Sequence, residues 1–220
     1  MDNAFCVTII IQNVFVRKGK AKVGHSRAEK AQSRERILAS AATRIREDGL
    51  ESISVGDLMK SVNLTHGGFY GHFASRADLI AAALERALAE SEKVSAIHAG
   101  KYGAATVKTI VNSYLSPAHR DHPGTGCAIS AVAGEVSRAD PQVRAIMAAQ
   151  LDRSIETMAS AIAVPEYAAQ FAQAAWSTMI GAITLSRVFA GDPRADQMLT
   201  SARRAILDLE EFYKAKAQSG

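Results

Sequence analysis

The stretch "LTHGGFYGHFASRADL", Leu64 to Leu79, carries three glycines, two histidines and three aromatic rings. Glycine weakens a helix interior by roughly 1 kcal/mol against alanine, whereas aromatic rings need a firm surface to pack on. The neighbouring segments show how both needs are met. Upstream, "ISVGDLMKSVNLT" (residues 53–65) sets Val55, Leu58, Met59 and Val62 at helical spacing behind Ser54, a plausible N-cap. Asn63 tolerates a left-handed backbone and turns the chain. Thr65 then caps a third, short helix with Phe69 and Phe73 four residues apart. Ser75 with Asp78 resembles a capping box with a shorter acid. It opens a long helix bearing Leu79, Ile80, Ala83, Leu84, Ala87 and Leu88. Before this block, "SRERILASAATRIREDG" (33–49) lines Ile37, Leu38, Ala41, Ala42 and Ile45 along one face, with Ser33 as the expected cap and Gly49 as the stop.

Two short helices joined by a tight turn, with a helix before and after, form a helix-turn-helix arrangement. Its second helix enters the DNA major groove. Phe69 and Phe73 then face inward and hold the little helix to its neighbours. Gly67, Gly68 and Gly71 occupy the remaining surface, where missing side chains let backbone come close to DNA.

Charge placement agrees. The chain has 220 residues and a formal net charge of +4. Between Arg17 and Arg46 the acids are only Glu29 and Glu35, against Arg17, Lys18, Lys20, Lys22, Arg27, Lys30, Arg34, Arg36, Arg44 and Arg46. A positive end on a near-neutral body suits a polyanion, or else is a solvated tail. Apolar residues make up 48% of the chain, aromatics are few and alanine abundant, a composition for closely packed helices. Cys6 and Cys127 stand far apart and imply no disulfide framework. No apolar run is long enough to span a bilayer, so a cytoplasmic protein without a membrane partner is expected. The start, "AFCVTIIIQNVFV" (4–16), lacks the flanks of a signal peptide. It reads as an upstream stretch outside the working fold, with Val16 and Val23 as alternative starts.

The block "SVGDLMKSVNLTHGGFYGHFASRADLIAAAL" (54–84) resembles the N-terminal signature of TetR-family transcriptional regulators. The features that carry the resemblance are the leading helix ending in Gly49, the pair Leu58 and Met59, the run Phe69-Tyr70-Gly71-His72-Phe73, and the Ser75-Arg76-Ala77-Asp78-Leu79 entry into a long helix. The match covers Ser33 to Leu88. Family members usually have leucine at the position of Phe69 and lysine at that of Arg76. The resemblance implies an all-α homodimer with an extension and basic arm over 1–26, expected to be disordered. A helix-turn-helix DNA-binding domain over 27–75 and an effector-binding and dimerisation domain over 76–220 would follow. Helices are expected near 104–115, 126–138, 141–163, 166–190 and 194–214, with prolines at the breaks.

Candidate DNA contacts follow. Thr65 is either both a helix cap and a phosphate or base contact, or a cap only. His66 opens the recognition helix within reach of a base edge. Gly67 and Gly68 allow close approach, and His72 is either a contact or local packing. The resemblance implies that Tyr70 touches the DNA backbone and that Arg76 replaces a phosphate-binding lysine. Ser54 and the start of its helix suit another phosphate. Arg27 and Lys30, on the arm, are further candidates for a groove or phosphates. A dimer reading two half-sites predicts a near-palindromic operator.

In "SPAHRDHPGTGCAISAVAGEV" (116–136), loop residues lead to a helix starting near Cys127. A helix N-terminus favours thiolate, and in some branches of the family such a cysteine senses oxidants or electrophiles; a small buried hydrophobe is the plainer reading. His119, His122 and Cys127 match no strong zinc spacing, so neither a metal nor a cofactor is expected. Tyr102, Tyr114, Met147, Phe171, Trp176 and Met179 are candidates to line an apolar effector pocket, each equally able to be ordinary core. "YAAQFAQAAWSTMIGAITLSRVF" (167–189) and "ADQMLTSARRAILDLEEFY" (195–213) suit a four-helix dimer interface or an intrachain core. No nucleophile–base pairing or phosphate loop supports an enzyme. The expectation is a DNA-binding regulator, a repressor released by a small-molecule or thiol-reactive effector. The alternative is an all-helical ligand-binding protein or enzyme that does not bind DNA.

Overall fold

A computed structural model of the chain describes residues 27–102 and 106–219, and for 95–102 the backbone only. The expectations for residues 1–26 and for the Tyr102 side chain lie outside the described residues. Every regular element among the described residues is helical.

Helix α1 runs Arg27–Asp48 and buries Ile37, Leu38, Ala41, Ala42 and Ile45. It starts upstream of Ser33, which is therefore no cap. Ser33 is buried, and its hydroxyl accepts from Arg36 Nη2 at 3.2 Å. Residues 28–32, Ala-Glu-Lys-Ala-Gln, are all good helix formers, so nothing stops the helix there. At its other end Gly49 takes φ 86°. A Cβ there would stand 2.5 Å from Glu135 Oε1, and the Leu50 N–H donates to Glu135 Oε2 at 2.7 Å. A short 3-10 turn, Leu50–Ser52, leads to α2, Val55–Ser61.

Ser54 caps α2 as expected, accepting from the Asp57 N–H at 3.4 Å. Asn63 is left-handed at φ 59°. The Leu64 N–H reaches Met59 O at 2.9 Å and the Asn63 N–H reaches Lys60 O at 3.1 Å, the paired bonds of a Schellman ending. The expected third α-helix is instead a 3-10 segment, His66–Gly71, and Thr65 makes no side-chain cap bond. Three glycines lower the α-helical propensity of so short a piece, and tighter i→i+3 bonds take over. Helix α3, Arg76–Tyr102, opens on a reciprocal pair: Ser75 Oγ accepts from Asp78 N–H at 3.1 Å and Asp78 Oδ2 accepts from Ala74 N–H at 3.0 Å.

The rest of the chain comprises α4 (Val107–Tyr114), α5 (Pro117–Asp121), α6 (Ala128–Val136), α7 (Pro141–Ala161), α8 (Ala168–Val188) and α9 (Arg194–Gln218). The sequence expectation lacked α5, which Ser116 caps and Pro117 opens. One apolar cluster joins α1, α2, Phe69, Phe73 and α3 to α6 and to Val143 and Met147 of α7. A second joins α4 and the other end of α7, through Met158 and Ile162, to α8 and α9. Charge ties the first cluster together. Buried Arg46 donates through Nε to Gly124 O at 2.6 Å and through Nη1 to Glu90 Oε2 at 2.9 Å. Glu90 also accepts from Arg86, which pairs with Glu35.

Gly49 and Gly67 should respond oppositely to alanine. Gly49→Ala meets both a positive φ and the Glu135 carboxylate, so urea unfolding should show a loss above about 1 kcal/mol. A Cβ at Gly67 meets nothing within 4 Å, and Gly67→Ala should be neutral or stabilising by up to about 1 kcal/mol.

Candidate nucleic-acid interface

The recognition segment is held from beneath. Phe69 and Phe73 are buried, their rings stacked at 5.7 Å. Arg34 of α1 lies over the Phe73 ring at 4.9 Å. With both phenyl rings turned inward, the other face of the segment points to solvent. Tyr70 is 70% exposed and meets Phe69 edge-on at 5.2 Å. Thr65, His66, Gly67 and Gly71 are exposed, Gly68 and His72 half-buried, with His72 beside Phe73. Neither Gly67 nor Gly71 has a positive φ, and a Cβ on either would meet open space. The fold itself does not require glycine at these two positions. Exposed Ser54, at the start of α2, lies near this surface, since a Cβ on Gly56 would touch both Ser54 Oγ and the His66 ring at about 4 Å.

Arg76 differs from its neighbours. Its Nε donates to Ile53 O at 2.9 Å and its Nη2 to Leu50 O at 3.1 Å, with Glu51 beside it. The guanidinium thus ties the start of α3 to the link between α1 and α2. Nothing in the local sequence predicted those carbonyl partners, which come from 23 and 26 residues away.

Residues 37–83 match the family described as bacterial regulatory proteins, tetR family. An uncharacterized HTH-type transcriptional regulator of Mycobacterium tuberculosis is 30% identical over 166 residues, covering 70% of this chain and 84% of that protein. The chain belongs to the tetR family. This tetR-family member is a DNA-binding transcriptional regulator. Solved structures share its fold. A TetR transcriptional regulator from Chloroflexus aurantiacus is 23% identical with a TM-score of 0.69, covering 82% of this chain and 96% of that one. A regulator from Saccharomonospora viridis, solved in complex with choline, is 18% identical with a TM-score of 0.63, covering 82% and 96%.

In the other half of this tetR-family chain, the structure brings Tyr114, Trp176 and Cys127 together and adds His119, Ser130 and Arg187. Tyr114 meets Trp176 edge-on at 5.2 Å and His119 at 4.5 Å. Met179 is buried in the same apolar cluster. Met147 is not. It belongs to the first cluster, because α7 is about 30 Å long and its two ends serve different cores. An open depression of about 440 Å³ involves Val107, Ala161 and Leu207, but none of the expected pocket residues.

Cys127 precedes α6, and its N–H donates to His119 Nε2 at 3.0 Å. An accepting Nε2 is unprotonated, so Nδ1 carries the proton and donates to Tyr114 O at 2.7 Å. Burial pushes the His119 pKa below its ordinary value, although the Tyr114 carbonyl opposes this. Burial, with the Cys127 thiol adding to it, holds the Tyr114 phenol well above the usual range. The Tyr114 hydroxyl lies beside Cys127 and Ser130 without a well-formed bond to either. Ser130 donates instead to Cys127 O at 3.0 Å. Among the described residues no three His, Cys, Asp or Glu side chains could share a metal ion. His119 was readable only as a loop histidine. The signal for its role was Gly126, where a Cβ would stand 2.9 Å from the imidazole.

His119 gives the fold a pH dependence of known sign. The unfolded chain takes up a proton near pH 6.5 that the folded imidazole resists. Stability should therefore fall as pH drops below about 6.5. His119→Gln should be less stable at neutral pH, and its deficit should shrink between about pH 7.5 and 5.5 in urea titrations.

Proposed function

We propose that this regulator is a homodimeric repressor that grips a near-palindromic operator and lets go when an effector binds. The supporting observation is the outward face of His66–Gly71, where His66 and Tyr70 are exposed and where the fold does not need the glycines at 67 and 71. Residues 27–75 serve as the DNA-binding domain and 76–220 as the effector and dimerisation domain. His66 reads base edges. Thr65, Tyr70, His72 and Ser54 hold phosphates, while Gly67 and Gly68 let backbone approach the duplex. Arg76 contributes charge from its braced position. Dimerisation uses α8 and α9, where Leu185, Val188 and Phe212 are large, apolar and exposed. Such side chains gain by leaving water against a second copy.

The effector site centres on Tyr114, Trp176 and Cys127, with Met179 beneath. The ligand is a small molecule, as choline is in the Saccharomonospora viridis protein, or a thiol-reactive compound acting on Cys127. Either shifts the population toward a spacing of recognition segments that no longer fits one DNA turn. No helix among the described residues is long and apolar enough to cross a membrane, and a cytoplasmic location follows from the work proposed.

Mobility-shift titrations on genomic fragments test this directly. Tyr70→Phe should weaken binding to every bound fragment by about fivefold, the worth of one hydrogen bond of about 1 kcal/mol. His66→Ala should also change the ranking of operator variants. An unchanged ranking and affinity would remove His66 from the interface. If thiol chemistry is the trigger, mild hydroperoxide should release the wild-type protein and not Cys127→Ser.

A further inference from the structure

Helix α1 changes chemistry along a single face. From Ile37 onward its inward stripe is apolar, with Ile37, Leu38, Ala41 and Ile45 all buried. Before Ile37 the same stripe is basic. At 100° per residue, Arg27, Lys30 and Arg34 fall within about 60° of one another and point in the direction of that core stripe. Glu29 falls about 100° round the helix from Lys30. All three basic residues are exposed. Beyond buried Ser33, and Arg34 on its ring, the helix runs on for about 10 Å to Arg27.

What lies next to this stripe is the recognition segment. Arg34 sits on the Phe73 ring, and Phe73 is stacked on Phe69. Arg36, off the stripe, donates to Val62 O at 3.4 Å and ties α1 to the turn that precedes the recognition segment. Arg34 and Arg36 are thereby engaged with the fold. Arg27 and Lys30 form no ion pair or hydrogen bond with any described residue. A tail would present these cations loosely. A helix sets their backbones on one face, so less backbone freedom is lost when each meets a phosphate.

We infer that Arg27 and Lys30, carried on the helical start of α1, are phosphate clamps for duplex DNA flanking the half-site that the recognition segment enters. The assignment rests on the DNA-binding reading of His66–Gly71 and extends that surface along α1. Its chemistry is sequence-blind: two cations on one helical face fit a backbone, and neither reads bases. In a dimer the stripe occurs twice, so four cations act at the outer edges of the operator.

Salt dependence measures this without knowledge of the operator, because phosphate contacts operate on any duplex. The probe is a mixed-sequence duplex long enough for two half-sites, titrated by fluorescence anisotropy between about 50 and 200 mM salt. The full chain is compared with Arg27→Gln/Lys30→Gln. Four lost phosphate contacts per dimer should flatten the slope of log affinity against log salt by about 3.6. A control of equal charge change, Lys108→Gln/Arg144→Gln on α4 and α7, should leave the slope as it was. Both positions are exposed, so thermal melting should show all three proteins equally folded. A slope identical in wild type and the Arg27/Lys30 variant, with binding intact, would overturn the clamp and leave the recognition segment standing. An equal flattening by the control would overturn it too, as a net-charge effect. If the unaltered chain binds no duplex, the DNA-binding reading falls and the clamp with it.

Discussion

The interface depends on how Phe69 and Phe73 are buried. A six-residue segment with three glycines has little helical stability of its own. Two phenyl rings driven out of water, each worth roughly 2–3 kcal/mol, hold it against α1, α2 and α3 and decide which side faces outward. Everything proposed for His66, Tyr70 and the glycines follows from that orientation. The order of the segment is thus borrowed from the core beneath it, and its outward residues are free to differ.

The same core reaches farther than a small DNA-reading unit would require. Arg46 holds the Gly124 carbonyl while Glu135 holds the Leu50 N–H, so α1 is fastened to the turn before α6, and the end of α6 to the turn after α1. The turn between Gly124 and Cys127 also binds α3, where Ser91 donates to Gly126 O at 3.2 Å, and it binds His119 through the Cys127 N–H. One short loop therefore joins the helix that supports the recognition segment to the cluster around Tyr114. Tyr114 and Cys127 are thus connected by hydrogen bonds to α1 as well as to α3.

Local chemistry was readable wherever a residue's partner lies a few positions away. Gly49, Asn63, the Ser54 cap, the Ser75–Asp78 pair and the inward phenyl rings are of this kind. So are the three long C-terminal helices α7, α8 and α9, whose breaks fall at prolines. The start of α1 was misjudged because Ser33 is a good cap by type, while the good helix formers before it carry the helix on to Arg27. The recognition segment came out as 3-10 because glycine's cost weighs most where there are few turns to share it. Met147 was grouped with Trp176 because residue type says nothing about which end of a long helix meets which core. Arg46 with Gly124, Arg76 with Leu50 and Ile53, and His119 with Cys127 were unreadable for another reason. Each joins a side chain to a backbone group, and backbone groups carry no sequence signature.

Hydroxyl-radical footprinting on a bound genomic fragment addresses the central claim, that two copies of one exposed, ring-anchored segment enter successive turns of a duplex. The account predicts two protected patches on one face of the DNA, related by a two-fold axis and about 34 Å apart or a multiple of that. A single short asymmetric patch, or no protection even at low salt, would contradict it.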